Sequence, residues 1–328
     1  MRAAFARLLR AQGEILGLLL FLALVLVFFG LTTQRFLSAG TFQSIAFQLP
    51  ELGLLTLAML LPILSGGLNL AITFTANLAG LAMAWIIQEG GGPEAGLLVV
   101  LLGTLAALAV GAAAGWVMGV VVAYVGAHPI LVTLAMMIFL RGLGEFLTRG
   151  GDISGFPPFI ATIGHGTVLG IPLPLLFFLV AAVLWQVLLG RSRFGFSTYM
   201  AGSNLEATRY SGIDTRRLLV LVYVLSGVMS AVAGILMLTR FNSVRVGHGE
   251  AYLLITVLAC FLGGVDPFGG FGRTVAVVLA LVILQTIASG LNLMGANQHL
   301  ATALWGLFLI AVMIGRWLWL RWSGRPAG

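Results

Sequence analysis

Residues 191–217, RSRFGFSTYMAGSNLEATRYSGIDTRR, form a polar, arginine-rich island between two long apolar segments. Five of the chain's 17 basic residues lie there: Arg191, Arg193, Arg209, Arg216 and Arg217. A connection this long and this polar is more than a link between apolar segments. It belongs in water. Inside it, residues 204–212, NLEATRYSG, read as a short amphipathic helix ended by glycine.

The rest of the chain explains why the island stands out. Hydrophobic residues make up 60% of it and charged residues 8%. A soluble domain carries about 25% charged residues, so a soluble fold is excluded; a mean hydropathy of +1.10 agrees. The net charge of +7 does not indicate nucleic acid, because the basic residues are spread along the connections and not gathered on one face. All 17 are arginine, a compositional bias without mechanistic weight. The single cysteine, Cys260, lies in an apolar run and reads as a small buried residue. The N-terminus, with Arg2, Arg7 and Arg10 before an apolar run, reads as a first membrane anchor rather than a cleaved leader, because further apolar spans follow.

A membrane-spanning helix needs about 20 mainly apolar residues. Ten segments meet that pattern, at 14–31, 45–64, 68–88, 96–125, 130–147, 171–190, 217–239, 251–264, 273–291 and 298–319. The eighth is short and reads as a broken or re-entrant piece. The expected fold is an all-α polytopic membrane protein of about ten spans, a single transmembrane domain over 1–328 with 191–217 as its long polar loop. An even number of crossings puts both termini on one side. With that side cytoplasmic, twelve arginines fall inside and five outside, as the positive-inside rule requires. Residues 148–170 then form an outer loop. The fourth span carries Gly103, Ala107, Gly111, Gly115 and Gly119, a small-residue stripe that suits close helix packing, either in a dimer interface or within one subunit.

Several constellations are candidates for function. Pro62 and Ser65-Gly66-Gly67 should break a helix in or near the membrane, freeing backbone groups for a polar solute. After the break, Asn69, Thr73 and Asn77 recur at a spacing of four, a polar stripe if the segment is helical. Asn and Thr both donate and accept, which suits a neutral, hydroxyl-rich solute; bonding to neighbouring helices is the competing use. Glu51, in the second span, is an acid within the membrane or near its interface. Arg141 and Glu145 are spaced for an ion pair. Residues 263–273, GGVDPFGGFGR, read as a turn and lack the Gly-Lys-Ser/Thr ending of a phosphate loop. The four histidines show no metal-ligand spacing, and no catalytic set stands out.

Three of these stretches also carry a resemblance. Ser65–Asn77, residues 128–151 (HPILVTLAMMIFLRGLGEFLTRGG) and residues 192–214 resemble the permease subunits of bacterial ATP-binding-cassette importers, in the ribose-type branch of the second carbohydrate uptake class. The likeness extends into 262–299 and is nearly full length. It implies that the short helix in the polar loop docks on a separate ATPase subunit. Glu206, Ala207 and Gly212 match the core of that coupling helix, flanked by Asn204, Arg209 and Ser211. Gly66, Gly67, Asn69, Thr73 and Asn77 then line the solute path. The resemblance further implies a periplasmic substrate-binding protein and a second permease subunit, identical or a sibling, in a bacterial inner membrane. It implies no cofactor on this chain, ATP and magnesium being held by the partner.

The chain departs from the family at Asn69 and Ala71, where Asp and Ser are usual, and at Phe196, where a basic residue is common. Ribose itself is therefore not assumed; another sugar, a polyol, a nucleoside or a furanosyl signal molecule fits as well. Three rivals remain at this point: a branched-chain amino-acid permease of related architecture, an ion-coupled secondary transporter, and an intramembrane enzyme. The first needs fixed charges for a zwitterion, the second a buried titratable pair, and the third a catalytic constellation.

Overall fold

The computed structural model describes residues 2–297 and 303–314. The described chain is mostly helical. In order it runs α1 (Arg2–Thr32), α2 (Ala39–Leu64), α3 (Ile72–Glu89), α4 (Leu97–Val120, prolonged by a π-helical turn at Val121–Val125) and α5 (Pro129–Thr148). It continues with α6 (Pro158–His165), α7 (Leu173–Arg191), α8 (Arg193–Ser203), α9 (Leu205–Tyr210), α10 (Thr215–Phe241), α11 (Tyr252–Leu262) and α12 (Thr274–Leu293), and ends on α13 (Ala303–Ile314).

Among the described residues seven helices are long and apolar enough to cross a membrane: Ile15–Thr32, Ala39–Leu64, Leu97–Val125, Pro129–Thr148, Leu173–Arg191, Thr215–Phe241 and Thr274–Leu293. Each of the ten expected segments holds a helix, but three do not qualify on length and composition. Helix α3 is 18 residues long yet carries Thr73, Thr75, Asn77, Gln88 and Glu89. Helix α11 has only 11 residues. The tenth segment, 298–319, is described only over 303–314. The stretch 148–170 is not a plain loop: it contains α6 and strand residues Ile153–Ser154, which pair antiparallel with Ser243–Val244 after α10. A second two-residue pair, Thr167–Val168 with Ile171–Pro172, closes the turn into α7.

Helix α2 is the axis of the bundle. It is 89% buried over its spanning window, against 17% for α5, and packs on α10, α11, α12 and α7. A helix that is apolar all round belongs in such a position. Two prolines, Pro50 and Pro62, interrupt its hydrogen-bond ladder. Pro62 has no N–H for the carbonyl of Ala58. Ser226 of α10 supplies the missing donor, its Oγ lying 2.7 Å from that oxygen. One residue earlier, Trp185 Nε1 of α7 donates to the Leu57 carbonyl at 3.1 Å. A neighbouring hydroxyl thus satisfies the carbonyl that Pro62 frees.

The small-residue stripe of α4 is used inside the subunit. A methyl group on Gly111 would strike the Gly227 carbonyl oxygen of α10, and one on Gly227 would strike that of Gly111. Backbone meets backbone there, which only glycine allows. Gly115 and Gly119 lie against Tyr223 and Val220 of the same helix. Of the two uses open for that stripe, packing within one subunit is the one observed.

Candidate functional site

The polar loop folds into two helices, and only the second was expected. Ser192 starts α8 by accepting from Gly195 N–H at 3.0 Å. Asn204 separates the helices and caps α9, its Oδ1 accepting from Ala207 N–H at 2.9 Å. Ser211 Oγ donates to the Ala207 carbonyl at 2.9 Å, and Gly212, at φ +82°, ends the helix in the left-handed region. Thr208 is the one buried residue of α9. Glu206, Ala207, Arg209, Ser211 and Gly212 all face solvent, as does Asn204. Tyr210 is 87% exposed beside them.

Helix α8 is bolted to two other turns. Gly202 lies so close to the end of α2 that an added methyl would strike the Leu64 carbonyl oxygen and the Gly270 nitrogen. Gly270 N–H donates to that same Leu64 carbonyl at 2.9 Å. Gly269 and Gly270 have φ of +94° and +78° and lie against Gly66 and Ser203. Tyr199 Oη donates to the Gly272 carbonyl at 3.0 Å. Burial raises the pKa of that phenol, which keeps it a neutral donor. The Gly-rich turn 263–273 is therefore a junction piece. It joins α11 to α12, receives the end of α2 and touches the helix preceding α9. Sequence reading found the turn but not its neighbours. It also missed Phe268 and Phe271, 77% and 68% exposed on this turn, which stands against α8. Large exposed aromatics in a polar, glycine-rich turn were the available signal.

The break after α2 runs back into the bundle. Gly66, at φ +86°, is exposed. Gly67 passes beneath Tyr223 and Pro129. The Leu68 carbonyl accepts from Thr133 Oγ1 at 3.2 Å and from Tyr223 Oη at 3.4 Å. Asn69 is fully buried; its Nδ2 donates to Ser226 Oγ at 2.9 Å and its Oδ1 accepts from Ala71 N–H at 3.0 Å. Ser226 in turn reaches Ala58, six residues before the end of α2, which places Asn69 about 9 Å deep in the bundle. The expected stripe is thus divided. Asn69 precedes α3, in non-helical chain, while Thr73 and Asn77 lie on α3.

Asn77 meets a second unwound segment, residues 242–251. With its amide nitrogen toward the His248 carbonyl, Asn77 donates to that oxygen and accepts from Gly247 N–H, each at 3.0 Å. Thr73 and Thr75 are buried and their hydroxyls have no partner among the described residues. Glu51 is fully buried and paired with Arg240 of α10 at 2.6 Å; Tyr252 Oη is 3.4 Å from its other oxygen. Arg141 pairs with Glu145 at 3.0 Å, as its spacing suggested, and also with Glu250 at 3.1 Å. Among the described residues no cluster of three metal-ligating side chains exists.

Two interruptions in apolar helices, lined by amides and hydroxyls, and a surface helix on a glycine junction are features of a transport subunit. The model of a family described as "Branched-chain amino acid transport system / permease component" matches residues 41–315. The autoinducer 2 import system permease protein LsrD of Yersinia enterocolitica is 29% identical over 313 residues, covering 94% of this chain and 92% of that protein. LsrD of Salmonella typhi is 29% identical over 305 residues, covering 90% of each. LsrD of Yersinia pseudotuberculosis is 28% identical over 315 residues. No solved structure matches the chain significantly. With most of its length matched and seven apolar helices of spanning length, this multi-pass membrane protein belongs to that permease family of ATP-binding-cassette importers, the family that also holds sugar permeases of the kind its sequence resembles.

Proposed function

We propose that the chain is the membrane subunit of an importer that brings a sugar or sugar-like neutral solute into the cytoplasm, powered by a separate ATPase subunit. The single observation that carries this reading is α9. It is a capped helix with one buried anchor, its remaining surface free, and a glycine junction behind it leading to the central helix. A helix that stabilised only its own subunit would bury more of itself. In this reading both termini and the loop lie in the cytoplasm and the chain crosses the membrane ten times. Leu205, Glu206, Ala207 and Arg209 dock on the ATPase. A periplasmic protein delivers the solute between two permease subunits, and ATP and magnesium stay on the partner.

The interior supports a neutral solute. Glu51, the fully buried carboxylate among the described residues, is already matched by Arg240. The unwound segments offer amides, hydroxyls and backbone instead. Gly66, Gly67, Asn69, Thr73 and Asn77 frame the inner part of the path, and the partnerless hydroxyl of Thr73 is the group best placed to receive a solute hydroxyl. The relatives' import of autoinducer 2 favours a small polyhydroxylated solute of that kind. The test is Glu206→Lys in the complete importer. Solute-stimulated ATPase activity and uptake should separate, with the protein still folded and inserted. Normal uptake by that variant would overturn the assignment.

A further inference from the structure

A groove of about 600 Å³ lies on the outer surface between α4 and α10, beside the junction end of the bundle. Trp116, Val120, Val220, Leu221 and Val224 wall it, with Tyr124 and Arg217 where both helices reach the polar loop. Its walls are apolar and it is open to the surroundings, so in a membrane its contents are hydrocarbon. The end near the loop is different. The Arg216 guanidinium sits over the Tyr124 ring, 5.5 Å from its centroid, and pairs with no carboxylate among the described residues. Arg217 holds Asp214 at 2.9 Å but keeps 84% of its side chain exposed. The π-helical turn at Val121–Val125 carries Tyr124 and continues α4 at this place.

We propose that this groove is a binding site for an anionic phospholipid. One acyl chain lies along Trp116, Val220 and Val224, and the phosphodiester sits against Arg216 with Arg217 beside it. Charge selects this occupant. A second copy of the chain seated across the groove on a two-fold axis would bring arginine toward arginine, whereas an anionic headgroup completes a guanidinium that has only a ring beneath it. Arg216 and Arg217 open the first turn of α10, the helix that braces Ala58 through Ser226, so an occupied groove would steady the helix that packs on α2. The inference rests on membrane insertion, and does not depend on which solute is carried.

The test uses the full-length chain in lipid nanodiscs and brominated acyl chains as quenchers. The chain has seven tryptophans, so the Trp116 signal is taken as the difference between wild type and Trp116→Phe. Brominated phosphatidylglycerol at a small mole fraction should quench that component more than equal brominated phosphatidylcholine. Arg216→Ala should reduce the preference about fivefold, the worth of one arginine near a charged lipid surface, and Arg216→Lys should retain it. Equal quenching by the two lipids in the wild type would overturn the proposal. So would a Val220→Cys cross-link between two copies, which would show protein covering the groove.

Discussion

The Ser226 hydroxyl donates to the Ala58 carbonyl that Pro62 leaves open and accepts from the buried amide of Asn69. One hydroxyl thus closes two deficits, each costly in a low-dielectric interior. Ser226→Ala should destabilise the purified chain by about 1–3 kcal/mol, read as a lower melting temperature in detergent; an unchanged melting temperature would show that the bridge carries no weight. Glu51 and Arg240 behave differently. Truncating one member of a buried pair strands the other, so Glu51→Ala should cost about 3 kcal/mol, while Glu51→Met with Arg240→Met should recover most of that loss. If the double variant were as unstable as the single, packing and not charge would be the reason for the pair. None of these partnerships was visible in the sequence. Residues 58, 69 and 226 are distant along the chain, and a lone serine in an apolar span carries no mark of its neighbour.

At the level of elements, α9 and its neighbours behave as one mechanical unit. Asn204 and Gly212 are punctuation that any chain can display, which is why the short helix was legible from residues 204–212 alone. Helix α8 was not, because its sequence, RFGFSTYMAGS, holds two glycines and few strong helix formers. What holds it is contact: Gly202 against Leu64 and Gly270, and Tyr199 against Gly272. The break at Ser65–Ala71 was legible from Pro62 and the paired glycines, but its direction was not. Whether such a segment turns outward or runs back inside depends on donors elsewhere, here Thr133 and Tyr223. The junction makes a sharp expectation. Gly202→Ala should lower stability by about 1–3 kcal/mol through overpacking and should depress uptake while leaving binding of the ATPase subunit intact, because α9's exposed face is unchanged. Co-purification and uptake assays on the same variant check this. Loss of both together, or of neither, would remove the junction from the coupling route.

The whole molecule is a bundle around a nearly fully buried α2, with one end carrying α8, α9 and the glycine turn and the other carrying α6 and the short strand pairs. Composition and apolar spacing revealed the membrane class and the position of each described helix of spanning length within a few residues, save for α1, whose described helix begins at Arg2, and α2, which begins at Ala39, six residues before the expected start. Among the described residues seven of the ten expected segments have the length and composition of a full span; α3 is diluted by polar residues and α11 is shortened by the unwound stretch before it. The glycine turn 263–273 is filled by contacts with Leu64, Gly66 and Ser203, and in the proposed importer the energy comes from a separate ATPase subunit. Reconstitution into sealed vesicles tests this most directly. With the binding protein outside and the ATPase subunit and ATP inside, labelled solute should accumulate against its gradient, and accumulation should vanish when the ATPase is omitted. Accumulation by the chain alone would contradict the account.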